Sequence, residues 1–211
     1  MKKLTAVFLC MLFIFLCSCK ENTSEETTVS SEQTTLPEEI TTVESIGLTE
    51  EVDPAKVLTV YFSHNDPVEG AAAYISEFTK GGIYKIETMG EYPEDEAELI
   101  RQAQDEYNNN FRPALVNAPL SLHEYDIVFL CFPAWNKTMP MALWTFLEDY
   151  DLRGKAILPV VYGTEAELNN ALRDIQSLVP SLMLADGYCF SGDILDESAA
   201  IDSWINEALY G

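Results

Sequence analysis

The chain has 211 residues, 35 of them acidic and 12 basic, and carries a formal net charge of −23. A surface this negative repels phosphate backbones and anionic lipid head groups. Nucleic acid is thereby excluded as a partner, and any membrane attachment has to be hydrophobic or covalent. With 47% apolar and 11% aromatic residues the chain is not wholly disordered, and its length suits one domain of ordinary size or two small ones.

Lys2 and Lys3 open the chain, and residues 4–16 are apolar apart from Thr5. This run is too short for a permanent bilayer span and has the dimensions of a signal-peptide core. It ends in Leu16-Cys17-Ser18-Cys19, which resembles a bacterial lipobox, with Cys17 standing where a small residue is usual. The resemblance implies cleavage before Cys19 and diacylation of its thiol, and two acyl chains give stable anchoring. The alternatives are ordinary secretion with cleavage nearby, or an uncleaved anchor. Residues 1–18 are thus expected to be a lipoprotein signal peptide. Cys19 is expected to hold the protein to the lipid bilayer on the extracytoplasmic face of the cell membrane.

Residues 20–54 contain ten acidic residues, twelve Ser or Thr and no aromatic residue. Such a stretch cannot bury enough apolar surface to offset the entropy of ordering, so 19–54 is expected to be a lipidated cysteine followed by a disordered acidic tether. As a random coil it would span about 33 Å.

From residue 55 to 211 short apolar runs alternate with amphipathic stretches. Residues 57–62 form a continuous β-rich run, as expected for a strand buried on both faces. Residues 71–79 read as a helix ended by Gly81-Gly82, 83–87 as a second strand, and 94–107 as an acidic helix after Pro93. A third strand is expected over 126–132, a helix over 141–150, a fourth strand over 156–162 and a helix over 165–179. A fifth strand over 182–190 and a closing helix over 199–209 complete the pattern. Five strands interleaved with helices argue for an α/β fold with a doubly wound parallel sheet, whose ligands sit at the carboxyl ends of the strands.

Three loops form that edge. The first is Ser63-His64-Asn65-Asp66-Pro67-Val68-Glu69-Gly70, the second Pro133-Ala134-Trp135-Asn136-Lys137-Thr138-Met139-Pro140, and the third Gly163-Thr164-Glu165. Val60-Tyr61-Phe62-Ser63, Glu91-Tyr92-Pro93-Glu94-Asp95, Arg112-Pro113-Ala114-Leu115 and Tyr125-Asp126-Ile127-Val128-Phe129-Leu130 lie along the chain in that order. Pro133-Ala134-Trp135, Met139-Pro140 and the run from Thr145 to Lys155 follow. In order and spacing these runs resemble the short flavodoxin-like members of the flavodoxin superfamily, over about residues 56–207. The resemblance implies a five-stranded sheet in the order 2-1-3-4-5, bound FMN and electron transfer. Carried onto this sequence, it makes Ser63, His64, Asn65, Trp135, Asn136 and Gly163 the cofactor-binding residues.

The sequence departs from that pattern where FMN would bind. Family members usually follow the first strand with Thr, Ser, Gly and Asn, whose hydroxyls and backbone N–H groups cradle the phosphate. Here Val68 has no hydroxyl, Pro67 has no backbone donor, and Asp66 and Glu69 place anions where a dianion should dock. In the second loop Asn136 and Lys137 replace a second aromatic residue and a glycine, and the third loop is cut short. Both changes are expected to remove backbone that wraps a flavin. Two readings therefore stand side by side. One is a membrane-tethered, FMN-dependent electron-transfer protein whose acidic surface steers a basic redox partner. The other is a degenerate flavodoxin fold without flavin, serving as a binding or interaction module.

Trp135 reads either as a ring stacked on a planar ligand or as a loop aromatic packed on the sheet edge. Lys137 reads either as a cation that approaches a flavin carbonyl or ligand phosphate or as a solvated loop lysine, His123 as a surface residue, and Trp144 and Trp204 as helix core. Cys131 and Cys189 fall on strands that strand four separates, about 9.6 Å apart, beyond the reach of a disulfide. Two buried free thiols are expected. No pair of histidines has metal-ligand spacing, and no nucleophile motif names a catalytic residue.

Overall fold

The apolar run after Lys56 forms β1 (Val57–Tyr61), and all five of its residues are buried because the strand has a neighbour on each side and helices on both faces. Leu58 and Val60 enter one apolar layer, while Val57 and Tyr61 enter the other. The computed structural model describes residues 40–48, 51–64, 66–116 and 121–211. After β1 come α1 (Val68–Thr79), β2 (Gly82–Lys85), α2 (Glu96–Asn108), β3 (Ile127–Pro133), α3 (Met141–Asp149) and β4 (Ala156–Tyr162). They are followed by α4 (Glu165–Leu178), β5 (Met183–Leu184), β6 (Tyr188–Phe190) and α5 (Ser198–Tyr210).

The strands lie in the order β2-β1-β3-β4-β5, with β6 also on β4, and every pairing between them is parallel. This is the expected doubly wound α/β sheet in the order 2-1-3-4-5. α1 and α5 cover one face through Val68, Ala72 and Ile75 and through Ile201 and Ile205. α3 and α4 cover the other through Leu143 and Phe146 and through Leu168, Leu172 and Ile175. α2 reaches that second face with Leu99.

Local chemistry sets the helix starts. The Asp95 side chain accepts from the Glu98 backbone N–H and begins α2 two residues later than the sequence suggests. Thr164 and Glu167 form a reciprocal capping box at the head of α4. α1 begins at Val68, three residues earlier than expected, for a reason that lies in the loop before it.

The fifth strand is not continuous. Pro159 stands inside β4, opposite the gap between β5 and β6, and has no N–H to give to a ladder there. Gly187, at φ 79°, takes up the extra residue, and a Cβ on it would lie 2.8 Å from Leu168 Cδ1. Cys131 on β3 and Cys189 on β6 are both free and flank β4. Cys131 is buried as expected, but Cys189 is only half-buried, because the short β6 lies near the sheet's rim.

The expected disorder through residue 54 does not hold over 40–48 and 51–54. Val43 bridges Ala185 in parallel, and the Val43 N–H donates to the Leu184 carbonyl at 2.9 Å. The N–H groups of Ile46 and Leu48 donate to the carbonyls of Ala208 and Leu209 at the end of α5. Ile46, Leu48 and Val52 pack on the α1–α5 layer. This strap runs along the amino edge of the sheet, opposite the ligand loops. Its acidic, hydroxyl-rich composition hides the apolar residues that make the contact. The expected signal peptide and Cys19 lie outside the described residues. Among the described residues no helix is long and apolar enough to cross a membrane.

Candidate functional site

The carboxyl ends of β1, β3 and β4 bring the expected residues to one rim. In the loop after β1 the Asp66 carboxylate turns back on its own backbone. Its Oδ1 accepts the Val68 N–H at 2.9 Å and the Ser63 hydroxyl at 2.9 Å, and its Oδ2 accepts the His64 N–H at 2.9 Å. A carboxylate holding the first N–H of α1 fixes where that helix starts and meets the positive end of its dipole. Hence α1 begins at Val68, with the N–H-less Pro67 just before it.

The His64 ring points elsewhere. Its Nε2 lies 2.9 Å from the Pro93 carbonyl oxygen, and a carbonyl can only accept, so Nε2 carries the proton. Ser63 is bound to Asp66 and His64 to Pro93, so the two do not form a nucleophile–base couple. Asn65, also expected to bind the cofactor, lies outside the described residues.

After β3 the chain makes a two-residue hairpin. The Trp135 N–H donates to the Thr138 carbonyl at 2.9 Å and the Thr138 N–H to the Trp135 carbonyl at 3.0 Å. Asn136 and Lys137 between them have φ of 52° and 66°, so both occupy the left-handed region that a hairpin turn of this kind requires. The chain makes this tight turn without a glycine. Side chains hold the turn instead. Asn136 Nδ2 donates to the Ala103 carbonyl on α2 at 2.6 Å, Asn170 Nδ2 donates to the Lys137 carbonyl at 2.8 Å, and the Thr138 hydroxyl donates to Asp174. Burial raises the Asp174 carboxyl above the usual Asp range, against the lowering effect of the Thr138 bond.

The hairpin sets Trp135, half-buried, on an aromatic floor. Its ring centroid is 5.2 Å from Phe62 and 4.9 Å from Tyr92, both edge-to-face, and 6.5 Å from the His64 ring. Tyr92, 9% exposed, donates its hydroxyl to the buried Glu106 carboxylate at 2.9 Å. Burial, then the neighbouring Glu106, pushes the Tyr92 hydroxyl far above its ordinary range. Trp135 thus packs on the sheet edge through Phe62 and keeps part of its surface free. Phe62 and Tyr92 belong to the same wall. The sequence offered Tyr92 within Glu91-Tyr92-Pro93, without showing that it meets Trp135.

Gly163 has a packing reason of its own. A Cβ there would lie 2.9 Å from Ala134 Cβ and 2.9 Å from Glu167 Oε2. The glycine lets the third loop pass against the second. Its N–H donates to the Phe190 carbonyl at 2.9 Å, so this donor too is used within the protein. Nearby, burial and then the carboxylates of Glu165 and Glu197 raise the Cys189 thiol above its ordinary range, which keeps it a thiol rather than a thiolate.

Beside the aromatic wall a cleft of about 560 Å³ is lined by Ser63, His64, Asp66, Pro67, Glu69 and Lys85. Its lysine already faces Glu69 at 3.9 Å. Chemically, this rim offers an aromatic surface for a planar ring and carboxylate oxygens for hydroxyl groups. Ser63 Oγ, the His64 N–H and the Val68 N–H, which a phosphate would need, are held by Asp66. The described residues therefore fit the ring of a flavin but not the phosphate of FMN. Among the described residues no group of three His, Cys, Asp or Glu side chains is placed to hold a metal ion.

A family model described as Flavodoxin matches residues 56–208. Among solved structures, a candidate flavoprotein from Bacteroides uniformis ATCC 8492 is 25% identical with a TM-score of 0.61, covering 73% of this chain and 99% of that one. A second, from Bacteroides eggerthii DSM 20697, is also 25% identical with a TM-score of 0.61, covering 72% and 98%. A flavoprotein in complex with FMN from Lactobacillus acidophilus NCFM shares the fold at 18% identity and a TM-score of 0.55, covering 72% and 99%. No curated protein matches the chain.

Proposed function

The chain belongs to the flavodoxin family, and on that premise we propose that it is a flavin-binding redox protein, tethered outside the cell membrane by an acylated Cys19. The observation that carries the flavin reading is the half-exposed Trp135, backed by Phe62 and Tyr92, at the carboxyl edge beside the loop after β1. A ligand at such an edge is the rule for doubly wound sheets. The FMN held by the Lactobacillus acidophilus relative adds support. A bound flavin supplies reversible uptake of electrons. The residues of this chain bind and orient the ring and shield one face of it from water. The net charge of −23 suits a weak, transient complex with a basic redox partner.

The tethered placement is supported by the first 19 residues, which have the form of a lipoprotein leader. A Cys19→Ala change should move the protein from the membrane fraction to the soluble fraction; retention in the membrane would defeat the anchor.

For the flavin, the full chain is titrated in parallel with FMN and riboflavin while flavin fluorescence is followed. Saturable quenching by at least one flavin, weakened about tenfold or more in Trp135→Ala, is the expected result. Absence of binding to both at tens of micromolar would overturn the redox reading. It would leave the second reading, an interaction module without flavin, which draws on the closed loop around Asp66.

A further inference from the structure

We infer that Asp66 is a specificity residue: its carboxylate stands in for a ligand phosphate, so the site takes a flavin without the 5′-phosphate, of the riboflavin class, and rejects FMN. This rests on the flavin reading above. It goes beyond that reading by naming which flavin, and by naming one side chain as the cause.

The Asp66 carboxylate gathers a hydroxyl and two backbone N–H groups, from Ser63, His64 and Val68, ahead of the first turn of α1. Hydroxyl and N–H donors at a helix N-terminus are the set that otherwise holds a dianion. A ligand phosphate would have to expel Asp66 from all three bonds or lie against its charge. Among the described residues that line the cleft, the other donors are missing or already engaged. Pro67 has no N–H, Lys85 already faces Glu69, and His64 Nε2 is bound to the Pro93 carbonyl. A neutral ribityl chain meets the opposite situation. An ionised carboxylate has about four acceptor positions, of which the protein fills three, so one remains for a terminal hydroxyl. The ring end is untouched by this exchange, because Phe62 is held at the end of β1 against β3, Trp135 by the hairpin, and Tyr92 by its bond to Glu106 on α2.

The test is equilibrium titration of the full chain with riboflavin and with FMN at fixed ionic strength, for wild type, Asp66→Asn and Asp66→Ser. The Asn variant keeps an oxygen for the Val68 N–H, which guards against loss of the helix start, while it removes the charge and the acceptor of the His64 N–H. In wild type, riboflavin should bind at least about tenfold tighter than FMN. Both variants should tighten FMN by about tenfold or more, so that the preference shrinks or reverses. FMN binding to wild type as tightly as riboflavin would overturn the inference and leave the flavin reading intact. An unchanged ratio in both variants would overturn it equally. If wild type binds neither flavin, the flavin reading fails, and the variants still decide whether Asp66 excludes phosphate. Capture of FMN by Asp66→Ser upholds the exclusion, and no capture by either variant removes it.

Discussion

The loop after β1 and the hairpin after β3 lie side by side at one sheet edge, and each is held by its own side chains, with opposite consequences. The hairpin keeps its shape. Asn136 and Lys137 hold left-handed backbone in place of glycine, secured by bonds to Ala103 and from Asn170. The loop loses its vacancy instead: Asp66 satisfies the donors that a ligand would need. Backbone shape can be restored by any residues that tolerate the strain and find anchors. A set of free hydrogen-bond donors cannot survive once a carboxylate within reach has paired with them.

Removing the floor common to both regions should have the largest effect. Phe62 is 3% exposed and lies against Trp135 and Tyr92. Phe62→Ala should cost about 3–5 kcal/mol in urea denaturation; a loss below about 1 kcal/mol would mean that loop and hairpin do not share support. Next comes Tyr92→Phe, which takes the hydroxyl from Glu106 and leaves that buried carboxylate with Gln102. A loss of about 1–3 kcal/mol is expected, with the near-ultraviolet circular dichroism of the aromatic wall retained; loss of that signal would show that the pair also positions Trp135.

The hairpin itself can be split. Asn136→Ala loses the bond to Ala103 and leaves a side chain at φ 52° without its anchor, so a cost of about 1–2 kcal/mol is expected. Lys137→Gly at φ 66° should instead stabilise by about 0.5–1 kcal/mol, measured by the same denaturation. If both changes destabilise equally, the left-handed strain does not matter there. Smallest is the effect of Asp174, which takes the hydrogen bond from Thr138. Burial raises its folded-state carboxyl above the unfolded value, so the native state binds the proton more tightly and loses stability as pH rises through that interval. Asp174→Asn should therefore be more stable than wild type at pH 7, with the gap closing as pH falls toward about 4. A gap that widens in acid would reverse the sign of this assignment.

The parallel α/β class was legible because β1, β3 and β4 are continuous apolar runs with helices between them, whereas the strand order came from the family resemblance. Pro159 stands in the sequence in plain view. Its effect was not visible there, because the missing N–H matters only once the partner strand is known. Trp135 was placed at the site by its loop, whereas its contacts with Phe62 and Tyr92 join segments about 40 to 70 residues apart in the chain. Asp66 was legible as an obstructive charge. That it closes the loop on itself depends on backbone torsions that composition does not encode. In the same way, Val43, Ile46 and Leu48 are too few to announce a core, and their worth depends on where β5 and α5 end.

The strap bears on where the chain can be cut. β5 has only two residues, and Val43 occupies the side of it that faces away from β4. An unpaired strand at a sheet's margin is a template for a second chain. A fragment beginning at 55, just ahead of the family match, would bare that margin and leave the last carbonyls of α5 without Ile46 and Leu48. Such a fragment should self-associate where the longer chain does not. Residues 40–54, tether-like in composition, act as the sheet's selvedge.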